Sequence, residues 1–275
     1  MTAKHSDKPC DDFLKWALPR MDMRWEGFRK VRGQVCKRLR RRINELGINS
    51  FNDYKLYLLE ENDEWQVADQ MMRITISRFF RDKYSWTVIE NQILPEITTR
   101  ALENKRPVRC WSAGCASGEE PYSLAILWKE KILPAFPGAR FEVLATDSDP
   151  FMLKRAVQGC YIHGSLKEML PELKERAFSL EGSFWCLKEE YRRMVSFELQ
   201  DIRKELPDGP FDIVFCKNLV AMYFSKEMAI RIFRQISEVM RTGSYLLLGN
   251  HETIAHEEIE EIDIYNRGVN IYVRN

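Results

Sequence analysis

The chain has 275 residues, of which 45% are hydrophobic and 30% are charged, and its formal net charge at pH 7 is +1. This composition is typical of a globular protein with one large domain or two unequal ones, and the balanced charge argues against general nucleic-acid binding. The sequence has no run of about 18 apolar residues, and its first ten residues lack a signal-peptide core, so we expect no membrane insertion.

Residues 11–100 are predicted to form a helical N-terminal domain. A helix that ends at Gly47 has one apolar face, formed by Val31, Val35, Leu39, Ile43 and Leu46. Ser50 is expected to cap a second helix over residues 51–61. A third helix is predicted through residues 65–72, and a fourth follows Asp82.

The helix that ends at Gly47 is strongly basic. Residues 24–42 contain nine basic side chains and one acidic side chain, Glu26. Most of these charges lie off the apolar face. They form either a solvated helix face or a surface that docks onto an acidic partner.

From residue 108 onward, strands and helices alternate. Strands are predicted at 108–111, 141–146, 195–197, 211–216 and 245–249, and helices at 121–133, 150–158 and 226–240. Such alternation is typical of a parallel sheet with helices on its faces, and it makes residues 101–275 an α/β domain. The irregular, aromatic stretch 161–197 is predicted to be a small strand-bearing insertion.

The seven cysteines form no Cys-x-x-Cys pair, and the four histidines are scattered. We therefore predict no metal site. Several cysteines lie in apolar runs, where a free thiol behaves as a small hydrophobic side chain, and this pattern favours a reducing cytoplasm. We accordingly expect a cytoplasmic, monomeric protein.

The most informative segment is 111–123, in which an apolar strand leads into a small-residue loop, then Glu119, Glu120 and Pro121, and then a helix. This shape is typical of a nucleotide-type cofactor site, because glycines such as Gly114 let the backbone approach a ligand closely. The segment lacks G-x-G-x-x-G, and its two carboxylates suit a cation better than a pyrophosphate. S-adenosylmethionine carries a sulfonium and an ammonium, so a methyl-donor site is indicated. The alternative is a tight turn with no ligand.

Acidic residues follow two of the predicted strands, at the sheet edge where ligands of parallel sheets bind. Asp147 could accept hydrogen bonds from ribose hydroxyls, or it could cap the next helix, although Asp149 is the better candidate for the cap. Asp201 could accept from an adenine amino group, with the backbone of Ile202 beside it, or it could be a loop acid.

Two further segments are candidates for the site. Asn218 ends a buried strand and precedes Tyr223, which is either a site residue or ordinary core. Arg78 and Arg81 flank two aromatic residues where the helical region meets the sheet. They could hold a carboxylate and cover a cofactor, or Arg81 could form a salt bridge with Asp82 or Glu90.

In this order, these motifs resemble the CheR-type methyltransferases, which methylate glutamates on chemotaxis receptors using S-adenosylmethionine. The resemblance covers residues 28–272 and rests on Arg-Leu-x-Arg-Arg at 38–42, on segments 77–82, 111–123, 145–150 and 211–218, on Tyr223-Phe224, and on Gly-Asn-His-Glu at 249–252. It implies a Rossmann-like class I methyltransferase domain preceded by a small all-α domain that faces the substrate.

The resemblance also implies roles for individual residues. Arg81 and Tyr223 would be catalytic, and an acidic protein, such as a methyl-accepting chemotaxis receptor, would dock on Arg32, Arg38, Arg40, Arg41 and Arg42. The cofactor would be lined by Thr75, Ser77, Arg81, Ala113, Gly114, Glu119, Glu120, Asp147, Asp201, Ile202, Asn218 and Leu219. The family usually has arginine where this chain has Lys217, and Asn-Leu where it has Asp201-Ile202.

We therefore expect an O-methyltransferase for protein glutamates. Two alternatives remain: a methyltransferase for a small molecule or a non-receptor protein, and a non-catalytic module that binds S-adenosylmethionine.

Overall fold

The computed structural model describes residues 7–254 and 259–275. Residues 1–6, which belong to the segment that is predicted to lack a signal-peptide core, lie outside this range. The helices are α1 Lys8–Ala17, α2 Trp25–Phe28, α3 Arg32–Glu45, α4 Phe51–Glu60, α5 Glu64–Met72, α6 Lys83–Val88, α7 Leu94–Glu103, α8 Glu119–Leu127, α9 Leu133–Ala135, α10 Pro150–Gln158, α11 Pro171–Ala177, α12 Glu189–Arg192, α13 Val220–Tyr223 and α14 Lys226–Glu238.

The strands are β1 Val108–Ala113, β2 Phe141–Asp147, β3 Cys160–Tyr161, β4 Phe178–Glu181, β5 Phe184–Leu187, β6 Val195–Leu199, β7 Phe211–Phe215, β8 Met240–Leu247, β9 Ile262–Asn266 and β10 Ile271–Arg274. Among the described residues, no helix is both long enough and apolar enough to cross a bilayer.

The chain divides into two compact units. The smaller unit contains Met1–Ile74 and Ala221–Ala229, and the larger unit contains Thr75–Val220 and Ile230–Asn275. The boundary that the sequence predicted at residue 100 therefore lies at residue 74. The physical reason is that Ile89, Ile93 and Ile97 belong to the hydrophobic core around the sheet, which binds residues 83–103 to the larger unit.

A seven-stranded sheet organises the larger unit, in the order β6-β2-β1-β7-β8-β10-β9. The pairs β1–β2, β1–β7, β2–β6 and β7–β8 are parallel, whereas β10 is antiparallel to both β8 and β9. This is the mostly parallel, Rossmann-like sheet that the sequence predicted. The carboxyl ends of β1, β2, β6 and β7 lie along one edge, so the loops that follow them form a common rim.

The predicted insertion is a second, three-stranded sheet in the order β3-β5-β4. It lies between α10 and β6, and its strands are short. Residues 195–197, which close the predicted insertion, belong to β6 and thus to the large sheet, as the prediction of a strand there requires.

The predicted helices of the smaller unit are confirmed at their ends. Leu46 caps α3, and Gly47 follows with a φ of 68°, a left-handed conformation that glycine adopts without strain. The Ser50 hydroxyl accepts a hydrogen bond from the backbone N–H of Asp53 at 3.1 Å and so caps α4.

Four cysteines form two disulfide bonds, Cys10–Cys36 and Cys160–Cys186. The expectation of free thiols is therefore wrong for these four. The first bond joins α1 to α3, and the second joins β3 to β5. The remaining thiols, of Cys110, Cys115 and Cys216, are buried, and burial raises the pKa of each. They are packing residues in this structure.

Candidate active site

The loop after β1 is anchored to the end of β2. The backbone N–H groups of Gly114 and Cys115 donate to the Thr146 carbonyl at 2.8 and 3.0 Å. The N–H of Ala116 donates to Oδ2 of Asp147 at 2.8 Å. Ala113, the last residue of β1, is buried and pairs with Thr146. The Asp147 carboxylate therefore holds the small-residue loop in place.

Gly114 has a φ of 71°, and a Cβ atom built on it would lie 2.6 Å from Cδ2 of Leu219. Only glycine satisfies both constraints, because a side chain there would be strained by its backbone and blocked by Leu219. Leu219 follows β7, so the loops after β1 and β7 are in direct contact. Two predicted cofactor residues are thus brought together.

Asp147 and Asp149 divide the two roles that the sequence left open. The Asp149 carboxylate accepts from the N–H of Phe151 at 2.9 Å and caps α10, as predicted. Asp147 instead accepts from the N–H of Asp149 at 2.8 Å through Oδ1. Each carboxylate oxygen has two acceptor sites, so these bonds remain compatible with a ribose hydroxyl at Asp147.

Both glutamates that begin α8 are held by serine hydroxyls. Glu119 is buried and accepts from Ser117 at 3.0 Å, and Ser77 also donates to it. Oε1 of Glu120 accepts from Ser112 at 2.8 Å. Burial raises the pKa of both carboxyls above the ordinary value for glutamate. Two buried, desolvated acids at one loop give the rim a strong affinity for positive charge.

Asp201 is engaged by its own loop. Its carboxylate receives hydrogen bonds from Nε and Nη2 of Arg203 at 2.9 and 2.7 Å. Burial alone would raise the pKa of Asp201, but these bonds outweigh burial and lower it. The structure therefore places an arginine on the carboxylate that the sequence assigned to an adenine amino group. The neighbouring Ile202 is buried.

The segment that carries Arg81 adopts an unusual backbone, with left-handed φ values of 51° at Phe80 and 66° at Asp82. Nη2 of Arg81 donates to Oδ1 of Asn218 at 3.2 Å, and Nη1 donates to the Ile76 carbonyl at 3.4 Å. Asp82 pairs with Lys217 at 3.2 Å, so the salt bridge that the sequence considered for Asp82 goes to Lys217 and not to Arg81.

Lys217 is a site residue whose role the sequence did not indicate. Its ammonium is almost fully buried, donates to the Arg81 carbonyl at 3.4 Å and lies 5.9 Å from the centre of the Trp86 ring. Trp86 itself donates to the same carbonyl at 2.9 Å. The backbone of Arg81 is therefore fixed from two sides.

Three further residues that the sequence considered for the site are Thr75, Arg78 and Tyr223. Thr75 is half-buried at the start of the larger unit, and Arg78 pairs with Glu168 at 3.2 Å. Tyr223 belongs to the smaller unit, where its ring centre lies 5.0 Å from that of Phe28. Its catalytic role stays a prediction.

Most of the predicted docking arginines have partners within the smaller unit. Arg42 forms a bidentate ion pair with Glu64, at 2.9 and 2.7 Å. Arg38 donates hydrogen bonds to the backbone carbonyls of Met71 and Arg73. These two side chains are therefore engaged within the unit, and the docking role that the resemblance implied for them stays a prediction. They are engaged there because α3 packs against α5, where buried acceptors need donors.

Two other arginines of α3 bind acids near the start of α1. Arg32 pairs with Asp11 at 2.8 Å, and Arg40 pairs with Asp7. Arg41 differs, since 78% of its side chain is exposed and its pairing with Glu45 spans 3.5 Å. Four basic side chains on and just before α3 are exposed, and we call them together the basic patch: Arg29, Lys30, Lys37 and Arg41.

The rim fits a cationic nucleoside in its donor and acceptor chemistry. Acidic side chains stand after β1, β2 and β6, and a group of negative side chains favours a positively charged ligand. In addition, Oε1 of Gln200, at the end of β6, is buried with no hydrogen-bond partner among the described residues. A buried acceptor without a donor is costly, and a ligand amino group could supply one.

Comparison with known proteins supports the same kind of ligand at this rim. Residues 75–267 match the family described as CheR methyltransferase, SAM binding domain. A chemotaxis protein methyltransferase of Listeria innocua is 36% identical over 186 residues, covering 67% of each chain. One from Escherichia coli K12 is 31% identical over 237 residues, covering 82% of this chain and 78% of its own.

Among solved structures, the magnesium protoporphyrin IX methyltransferase of Synechocystis, with bound SAH, aligns with a TM-score of 0.30 and 17% identity, covering 57% of this chain and 53% of its own. A score this low adds no argument, and the fold assignment rests on the strand order.

Proposed function

Because the chain belongs to the CheR methyltransferase family, and is therefore a methyltransferase that uses S-adenosylmethionine, we propose that its methyl acceptor is the glutamate side chain of an acidic protein, such as a chemotaxis receptor. The proposal concerns the acceptor and the residues that serve it. It also includes the cytoplasm as the place of action, on the family resemblance alone, because the two disulfide bonds remove the free-thiol argument for it.

The observation that supports a carboxylate acceptor most is the setting of Arg81. Its guanidinium is half-buried at the rim and bonded to Asn218, and its backbone is fixed by Lys217 and Trp86. A guanidinium has five N–H donors, so the bonds to Ile76 and Asn218 leave donors for a carboxylate. An arginine held in one position is suited to bidentate hydrogen bonding with a carboxylate.

The residues that would hold the cofactor are Gly114, Glu119, Glu120, Asp147, Asn218 and Leu219. When bound, S-adenosylmethionine supplies an electrophilic methyl group on a positively charged sulfur. A glutamate acceptor, with an ordinary pKa of about 4.3, is already ionised at neutral pH, so the chain needs no general base. Arg81 would orient the acceptor carboxylate, and the buried side chains around it would exclude water.

Tyr223 is proposed to donate a hydrogen bond near the transferred methyl group, on the family resemblance alone. The Tyr223→Phe variant removes only the hydroxyl. We expect kcat to fall about tenfold, while the protein still binds S-adenosylhomocysteine (SAH), the product that S-adenosylmethionine becomes. An unchanged kcat would remove Tyr223 from the mechanism.

The basic patch supports an acidic protein partner. Its members, Arg29, Lys30, Lys37 and Arg41, are exposed on and before α3, whereas Arg32, Arg38, Arg40 and Arg42 have partners within the unit. Exposed charges of one sign attract an oppositely charged surface and accelerate its association. The docking surface that we propose is therefore narrower than the one the sequence suggested.

The internal partners of the α3 arginines also favour a second class of acceptor, a small-molecule carboxylate. Because four arginines of α3 are used internally, the smaller unit presents less free positive charge than its sequence suggests. A small-molecule carboxylate would need Arg81 but not the basic patch. Charge reversal in the patch separates the two classes, since it impairs only the methylation of a protein.

The acceptor is tested by labelling. Purified protein is incubated with S-adenosylmethionine carrying a labelled methyl group and with membrane, soluble-protein and small-molecule fractions of the source organism. Glutamate methyl esters are cleaved by mild base, so the proposal predicts label in the membrane-receptor fraction that base releases as methanol. Base-stable label, or label confined to small molecules, would show that the acceptor is something else.

A further inference from the structure

Glu252 is a buried acid that none of the functional assignments above uses. Only 1% of its surface is exposed, and its carboxylate accepts three backbone hydrogen bonds. Oε2 accepts from the N–H groups of Asn218 and Gly249, the latter at 2.7 Å, and Oε1 accepts from the N–H of Leu219 at 3.1 Å. A buried carboxylate normally needs a cation or several donors, and here backbone donors hold it.

The three donors belong to two loops at the rim. Asn218 and Leu219 form the turn after β7, and Gly249 follows β8. Asn218 has a left-handed φ of 56°, which a non-glycine residue adopts only when its surroundings hold it there. The carboxylate of Glu252 satisfies the two N–H groups that this conformation directs to the same side. The turn therefore depends on Glu252 for its shape.

The same turn connects the other parts of the candidate site. The side chain of Asn218 accepts from Arg81, and the side chain of Leu219 contacts Gly114 on the loop after β1. A change in the turn would therefore move the partner of Arg81 and the contact that limits the Gly114 loop. One buried acid, more than 30 residues away in sequence, underlies both contacts.

Gly249 shows how little room this arrangement has. A Cβ atom built on Gly249 would lie 2.8 Å from Oε2 of Glu252 and 2.9 Å from both Cγ and Oδ1 of Asn218. These separations are shorter than nonbonded contacts allow, so any side chain at residue 249 would push the carboxylate and Asn218 apart.

We propose that Glu252 is a positioning residue for cofactor binding: its carboxylate fixes the turn of Asn218 and Leu219, and this turn sets the position of Arg81 and of the Gly114 loop. The inference rests on the proposed location of the cofactor at this rim. Glu252 touches neither cofactor nor acceptor in this account. Burial raises the pKa of the Glu252 carboxyl, and the three backbone hydrogen bonds and the nearby ammonium of Lys217 oppose that shift.

The Glu252→Gln variant tests the proposal with minimal change of volume. An amide retains one acceptor oxygen, which can serve Asn218 and Gly249, but its NH₂ group would face the N–H of Leu219. One hydrogen bond is lost, and two donors are opposed in a buried place. We expect the Kd for SAH, measured by titration calorimetry, to rise about tenfold or more.

Glu64→Gln is the matched control. Glu64 is also a buried acid, 5% exposed, and it is held by Arg42 and Tyr54 in the smaller unit. This variant should lower the melting temperature and leave the Kd for SAH within about twofold of the wild type. The comparison separates a general loss of stability from a specific loss of binding.

Gly249→Ala is the second variant, since it keeps the carboxylate but displaces it from Asn218. We expect the same weakening of SAH binding, and we expect the double variant with Glu252→Gln to be less than additive because both act on one turn.

Wild-type affinity for SAH in Glu252→Gln, or in Gly249→Ala should the first variant fail to fold, would overturn the positioning role while leaving the proposed function intact. Failure of the wild-type protein itself to bind SAH would overturn the location of the cofactor and, with it, this inference.

Discussion

Nη2 of Arg81 lies 3.2 Å from Oδ1 of Asn218, although the two residues are 137 positions apart in sequence. This hydrogen bond joins the segment that precedes α6 to the turn after β7. Both segments stand at the carboxyl edge of the sheet, where ligands of parallel α/β folds bind. A cation that is proposed to orient the acceptor carboxylate is thus held against a residue that is proposed to line the cofactor.

Arg81→Ala is expected to lower kcat/KM for methyl transfer about 100-fold, because it removes a charged hydrogen-bond donor from the acceptor. The fold should persist, since Arg81 is half-buried and its backbone contacts remain. The measurement is steady-state transfer of labelled methyl, with circular dichroism to monitor folding.

The neighbouring Arg78→Ala is the control for this prediction. Arg78 pairs with Glu168 and has no proposed contact with the acceptor, so its loss should change turnover less than threefold. Equal activity of Arg81→Ala and wild type would exclude Arg81 from the mechanism.

Arg42→Ala is expected to reduce the free energy of unfolding by roughly 3 kcal/mol, because it leaves the buried carboxylate of Glu64 without its cation. Arg41→Ala, one residue earlier on the exposed face, should change it by less than about 0.5 kcal/mol. Urea denaturation of the two variants measures the difference. Similar stabilities would contradict the structural role of Arg42.

Reversing charge in the basic patch, with Lys37→Glu and Arg41→Glu together, should raise the KM for an acidic protein acceptor about tenfold at low salt. The effect should diminish as salt screens the charges. The Kd for SAH should not change, because the cofactor is proposed to bind in the larger unit. If the KM for the protein acceptor stays at its wild-type value, the basic patch does not dock the substrate.

Binding of S-adenosylmethionine should release protons at mildly acidic pH. Burial raises the pKa of the carboxyls of Glu119 and Glu120, so in the free protein they hold protons to higher pH than exposed glutamates do. Their contribution to stability is therefore greatest at low pH and is lost as pH rises through the raised pKa values. A bound cation favours the ionised form, so affinity should increase as pH rises above the ordinary glutamate pKa of about 4.3 and through the raised pKa values.

Several charged and polar groups face these two acids. Glu119 is faced by Ser117, Ser77 and Arg155, and Glu120 by Ser112, Lys217, Asp82 and Arg81. Titration calorimetry at pH about 6, in two buffers with different enthalpies of ionisation, measures the protons released. Identical binding enthalpies in the two buffers would show that neither acid changes its protonation when the cofactor binds.

Local signals in the sequence predicted the frame of the site. Asp149 caps α10, and the segment around Gly114 runs from a strand through a loop into a helix, as predicted. Both features are determined by residues within a few positions of each other. The alternation of short apolar runs and helices was likewise sufficient to predict the parallel sheet, because burial on both faces imposes that pattern.

Partners that are distant in sequence could not be predicted in this way. Helical periodicity places Arg42 off the apolar face of α3, but it carries no information that Glu64 is buried opposite. In the same way, nothing near Glu252 in the sequence indicates that its carboxylate accepts from Asn218. The charge of a residue is visible in the sequence, whereas the group that neutralises it depends on tertiary packing.

A crystal structure of the protein with SAH would show where the cofactor lies relative to Arg81. We expect SAH at the carboxyl edge of the sheet, with its ribose at Asp147, its amino-acid end near Gly114 and its sulfur on the side of Arg81 and Asn218. SAH bound elsewhere, or bound with Arg81 turned away from its sulfur, would contradict the proposal that the methyl donor and the acceptor carboxylate meet at this rim.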